Sequence, residues 1–137
     1  NANLGITHSM AHAFGGTFHL SHGRSNALLM EAVIEYNANL RDTSDQKVAA
    51  KYGQLARVLG LPARTTREGY VNFLQAVHQL KRDLGIQSSI KAAGIKEDEF
   101  MAAAETMAQQ TMADRCTPSN PRTPTKEDII AIYKAAY

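Results

Sequence analysis

Gly60-Leu61, Gly85-Ile86 and Gly94-Ile95 repeat one two-residue device, each at the end of a stretch with helical patterning. A glycine just past the last helical turn takes the left-handed conformation without a Cβ penalty, and the apolar residue after it folds back on that turn. A chain punctuated in this way is a succession of helices with short connections. Val48, Tyr52, Leu55 and Leu59 form one apolar stripe over 44–59. Tyr70, Leu74, Val77, Lys81 and Leu84 follow the same rhythm over 67–84, behind a capping-box pattern from Thr65 to Glu68. Further helices are expected over 97–113, through Phe100, Ala104, Met107 and Thr111, and over 126–136, through Ile129, Ile130, Ile132 and Tyr133, behind a Thr125 to Asp128 cap. Residues 3–14 read as a helix closed by Gly15-Gly16. In 24–38, Leu28, Leu29, Met30, Val33 and Ile34 cover most of the circumference, the pattern of a buried helix. The stretch "CTPSNPRTPT", 116–125, is rich in proline and reads as a loop. No segment alternates long enough to argue for a strand, so the expected fold is all-α, a bundle of about six to seven helices.

A length of 137 residues suits one domain with its own core, and residues 1–137 are read as a single all-α domain. No apolar run reaches the ~18 residues needed to span a bilayer. The net charge of +2 is spread without a block of Lys or Arg, which argues against nucleic-acid or anionic-lipid partners. The opening "NANLGITH" lacks the features of a secretory signal, and a lone Cys116 cannot form an intrachain disulfide, so a cytoplasmic location is expected. The chain opens on Asn1 rather than Met and reads as a piece of something longer.

Four of the five histidines, His8, His12, His19 and His22, lie between residues 8 and 22. His8 and His12 are one helical turn apart and project from one face. A reversal at Gly15-Gly16 would bring His22 back beside His8, and imidazoles are common ligands for zinc and non-haem iron. Two histidines are half of a catalytic metal site, which generally takes three protein ligands and an open position. His19, flanked by Phe18 and Leu20, reads as a residue of an extended loop. His78 reads as a solvated position on its helix. No H-E-x-x-H, C-x-x-C or calcium-loop spacing occurs, and Gly15-Gly16 is not a phosphate-binding loop. Spacing alone leaves structural and metal-binding roles for the histidines both open.

The stretch from Gly5 to Gly23, "GITHSMAHAFGGTFHLSHG", continuing into "SNALLMEAVIEYN", closely resembles the signature of the iron-dependent (group III) alcohol dehydrogenases, and the similarity runs on to "CTPSNPRTPT". The nearest likeness is to the alcohol dehydrogenase part of bifunctional aldehyde-alcohol dehydrogenases and to propanediol and lactaldehyde oxidoreductases. The resemblance implies the C-terminal helical domain of the fold shared with dehydroquinate synthase, and interconversion of short primary alcohols and aldehydes with NAD or NADP. By the same resemblance, His8 and His22 ligate divalent iron, with zinc as the alternative, and His12 sits beside the metal and helps relay the hydroxyl proton. Cys116 matches a position bordering the substrate cavity, its alternative being a buried small apolar residue. Gly23 and Asn26 match structural positions, whereas Arg24 and Ser25 depart from the small or apolar residues usual there.

Two further ligands in the family, an aspartate and a histidine four residues later, and the glycine-rich loop for the cofactor are expected in an N-terminal domain upstream of this segment. The isolated chain is then expected to be inactive and to need that missing domain as a partner; a homo-oligomer is left open. Such a fragment should expose an apolar patch, with Met10, Phe14 and Phe18 as candidates. A stand-alone helical binding module with structural histidines should expose none. A glycerol-dehydrogenase-like relative is the third reading.

Overall fold

The computed structural model describes residues 4–137, and every regular element in it is helical. The helices are α1 (Ile6–Phe18), α2 (His22–Ala38), α3 (Lys47–Val58), α4 (Thr66–Asp83), α5 (Glu97–Ala113) and α6 (Lys126–Ala136), with a single 3-10 turn, Thr117–Ser119, between the last two. The expected all-α class holds. The three glycine stops also hold, with φ of 73° at Gly60, 68° at Gly85 and 91° at Gly94. Thr125 and Asp128 form a reciprocal capping box. Thr65 accepts the Glu68 N–H, but the Glu68 carboxylate accepts from the backbone N–H of Arg64 rather than that of Thr65.

The helix expected from residue 3 starts at Ile6; residue 3 itself lies outside the described residues. Its expected end is corrected. α1 runs straight through Gly15-Gly16 to Phe18, and His19, at φ 55°, makes the left-handed turn that closes it. Gly15 is used for close approach. A Cβ there would lie 2.9 Å from Ser25 Oγ and 3.1 Å from the Leu20 carbonyl oxygen, so only glycine lets the chain double back so tightly.

The chain divides into two compact units. The first comprises the chain up to Val33 together with Ile86–Tyr137. Here α1 packs on α5, and α5 on α6. Ile6, Met10 and Phe14, spaced at i, i+4 and i+8, are fully buried, as are Phe100, Met107, Ile129 and Tyr133. The Tyr133 hydroxyl donates to the Met10 carbonyl at 2.9 Å, joining α6 to α1. Phe100 is stacked by Tyr137 at 4.9 Å and met by Tyr133 in a T-shaped contact at 6.3 Å. The apolar patch expected on α1 is therefore absent: Met10 and Phe14 are core residues, and Phe18 packs against Phe14 and Phe100.

The second unit, Ile34–Gly85, is continuous in sequence and built on the α3–α4 pair. Its core gathers Ile34, Ala38, Ala49 and Tyr70 with partly buried Tyr52, Phe73, Leu74 and Val77 around them. The helices approach through glycines: a Cβ on Gly69 would lie 2.7 Å from the Gly53 Cα and 2.8 Å from the Ala63 Cβ. The periodic stripes overestimate burial at their ends. Leu55 is 45% exposed and Leu59 59%, because Ala49, Gly53 and Ala56 supply the close-packed face of α3, and Leu84, which closes α4, is 66% exposed. No helix among the described residues is long and apolar enough to cross a membrane.

Candidate metal centre

His8 and His12 lie one turn apart on α1, and His22 is the first residue of α2. The tight reversal behind Gly15 brings the three rings together. His8 and His22 have ring centroids 5.2 Å apart, His12 and His22 stack at 5.0 Å, and His8 and His12 meet edge-on at 6.4 Å. Burial is the main reason that the pKa of His8 is lowered; the neighbouring His22 and His12 rings act in the same sense, and Asp114 opposes them. The result favours neutral imidazole, the form that ligates metals.

Asp114, just past the C-terminus of α5, is part of the same cluster and was not singled out from the sequence. Its Oδ2 lies 2.9 Å from His12 Nδ1. Its Oδ1 accepts the Cys116 backbone N–H at 2.8 Å and the buried Ser9 hydroxyl at 3.1 Å. Burial raises the Asp114 pKa, but these hydrogen bonds outweigh it and bring the carboxyl down to about 2. No local motif marks Asp114, which is 102 residues from His12. The available signal was its place two residues before Cys116, at the mouth of the proline-rich loop.

That loop is ordered by hydrogen bonds to α1. Asn120 Oδ1 accepts the Ile6 N–H, and the Ser119 hydroxyl donates to the Leu4 carbonyl. Cys116 is buried, and burial, followed by the hydrogen bond and charge of Asp114, pushes its thiol pKa up. His19 is exposed at the end of α1, not in an extended loop, and His78 lies on α4 in the second unit. Arg24 reaches Gln87 with two hydrogen bonds, and Ser25 is buried against Gly15.

The profile of the Fe-containing alcohol dehydrogenase family, C-terminal part, matches residues 1–137. The chain belongs to that family. The aldehyde-alcohol dehydrogenase of Streptococcus pneumoniae serotype 4 is 40% identical over all of this chain and 16% of its own length. The lactaldehyde reductase of Escherichia coli K12 is 34% identical over all of this chain and 34% of its own. An alcohol dehydrogenase structure from Oenococcus oeni superimposes with a TM-score of 0.82 at 38% identity, covering 100% of this chain and 33% of that one. The chain thus spans between about a sixth and a third of the length of these relatives and corresponds to the C-terminal part of Fe-containing alcohol dehydrogenases.

For a member of an iron-containing family, the donor chemistry of the cluster is suitable but incomplete. His8 and His22 are adjacent imidazoles. No group of three or more His, Cys, Asp or Glu among the described residues is arranged to hold a metal ion. Asn26 lines this spot, with Nδ2 3.1 Å from His22 Nε2 and 2.9 Å from the His22 carbonyl. Its Oδ1 is buried and has no hydrogen-bond partner, an unusual state for a buried polar atom. A ligand taken up by His22 Nε2 would release the Asn26 amide to reorient.

Proposed function

We propose that this chain is the metal-holding helical part of an iron-dependent alcohol dehydrogenase that interconverts short primary alcohols and aldehydes. In this reading His8 and His22 hold a divalent iron, with zinc as the alternative, and the remaining ligands come from a cofactor-binding domain joined to this one. A bound divalent metal supplies Lewis acidity toward the substrate oxygen, easing loss of the hydroxyl proton. His12 stands beside both ligands and takes up or returns that proton. The buried Cys116 lies close to the carboxylate that holds His12 and lines the inner border of the substrate space. The redox partner is NAD or NADP, carried mainly by the cofactor-binding domain, and the assembled enzyme works in the cytoplasm.

The observation that carries this reading is the convergence of three imidazoles from α1 and α2 at 5.0–6.4 Å, in a chain of this family. Titration of the 137-residue chain with Co(II), a spectroscopic stand-in for Fe(II) and Zn(II), tests it. One weak site per chain is expected, lost in both His8→Ala and His22→Ala, with no alcohol oxidation by the isolated chain. Binding unchanged in both variants, or turnover by the pure chain, would contradict it.

A further inference from the structure

The proposed function gives Asp114 no step of its own beyond its contact with His12, yet its carboxylate is held by three partners. Its carboxylate receives the Cys116 backbone N–H, the Ser9 hydroxyl and His12 Nδ1. Thr117 Oγ1 stands 2.9 Å behind Ser9 Oγ and extends the network into the buried interior. Both carboxylate oxygens are therefore occupied, and the side chain has no alternative orientation that keeps these partners.

An ionised carboxylate only accepts hydrogen bonds, so the nitrogen 2.9 Å from Oδ2 must carry the proton. A neutral imidazole has one N–H. If it resides on Nδ1, Nε2 is left with a bare lone pair. We propose that Asp114 is a positioning residue that locks His12 as the Nδ1–H tautomer and so dedicates Nε2 to accepting a proton. The role of that proton transfer in catalysis rests on the proposed function; the tautomer itself does not. The arrangement has the logic of a carboxylate that orients a general-base histidine, where changing the acid to an amide keeps the geometry but delivers the wrong tautomer.

The test is the ring-nitrogen chemical shifts of His12 in the metal-free, 15N-labelled 137-residue chain, recorded at a pH where the ring is neutral. The wild type is expected to be predominantly protonated at Nδ1. In Asp114→Asn, the amide oxygen can keep the Cys116 N–H while its NH₂ faces the ring, so His12 must accept at Nδ1. The tautomer ratio should then reverse by on the order of tenfold, as expected for a hydrogen bond to a charged group. A ring freed by a loosened fold drifts toward the Nε2–H form that a neutral histidine side chain favours in water, so the Asp114→Asn spectrum is read at unchanged helicity, and an Nδ1–H wild type, opposite to that preference, is what carries the proposal. An Nε2-protonated wild type, or an Asp114→Asn chain that keeps the wild-type tautomer with unchanged helicity, would overturn the proposal. If Asp114→Asn fails to fold, the wild-type spectrum still decides. A failed cobalt titration alongside an Nδ1–H His12 would remove the metal reading and leave the positioning role standing.

Discussion

Gly5 has no side chain with which to cap α1, and the first free N–H of that helix, on Ile6, is instead taken by Asn120. The two residues are fitted to each other: a Cβ on Gly5 would lie 2.8 Å from Asn120 Oδ1. Asn120→Ala should therefore lower stability by about 1–2 kcal/mol, the loss of a cap, measured as a fall in the urea midpoint. Asp114 gives a second residue-scale expectation. Its folded pKa of about 2 lies below the ordinary 3.8, so the stability it contributes is present above about pH 4 and lost as pH falls from there toward 2. Unfolding midpoints measured across that window should drop in the wild type, and Asp114→Asn should lose that component of the drop. The histidines were visible in the sequence because they are neighbours in it. Asp114 and Asn120 were not, because their partners lie more than a hundred residues away and only the fold brings them together.

At the scale of elements, the glycine stops were legible because a left-handed residue after a helix is a local requirement. Gly15-Gly16 looked the same and meant something else. What decides its role is the Ser25 hydroxyl and Leu20 carbonyl pressed against it, and neither contact has a local signature. The α3–α4 pair makes a sharper contrast between two helical glycines. Gly69→Ala would drive its methyl group to 2.7 Å from the Gly53 backbone and should destabilise the second unit by about 1–3 kcal/mol through overpacking. In Gly53→Ala the new methyl group would have its nearest neighbours at 3.8 and 3.9 Å, ordinary contact distances. With the better helix propensity of alanine, it should be neutral or stabilising by up to about 1 kcal/mol. Thermal unfolding of the two variants side by side checks the pair. The same small-residue packing explains why the apolar stripes misjudged Leu55 and Leu59: α3 buries its alanines and glycine more fully than its leucines.

On the scale of the whole molecule, helical class followed from periodicity, but the division into two units did not. The boundary falls inside α2, between Val33 and Ile34, with no glycine, proline or change of composition to mark it. That division predicts where metal binding is felt. Saturating Zn(II) stabilises the state that binds it, by about 2.7 kcal/mol at a hundredfold excess over Kd. Hydrogen exchange should consequently slow at α1 and the start of α2 while α3 and α4 change little; equal slowing everywhere would mean that the two units open together, against the division, and no slowing at α1 would refute binding at the histidine cluster.

The capping of α1 by Asn120 also sets an order of assembly during synthesis. Residues 34–85 form a continuous unit that is complete soon after its last helix emerges from the ribosome. α1 emerges earlier but cannot finish, since its cap, the anchor of His12 and the α5 surface that covers Ile6, Met10 and Phe14 all arrive from residues beyond 96. The histidine-bearing helix is translated early and consolidated late: the His12 ring gains its carboxylate partner, and α1 its cap, only once the loop following α5 has closed behind them.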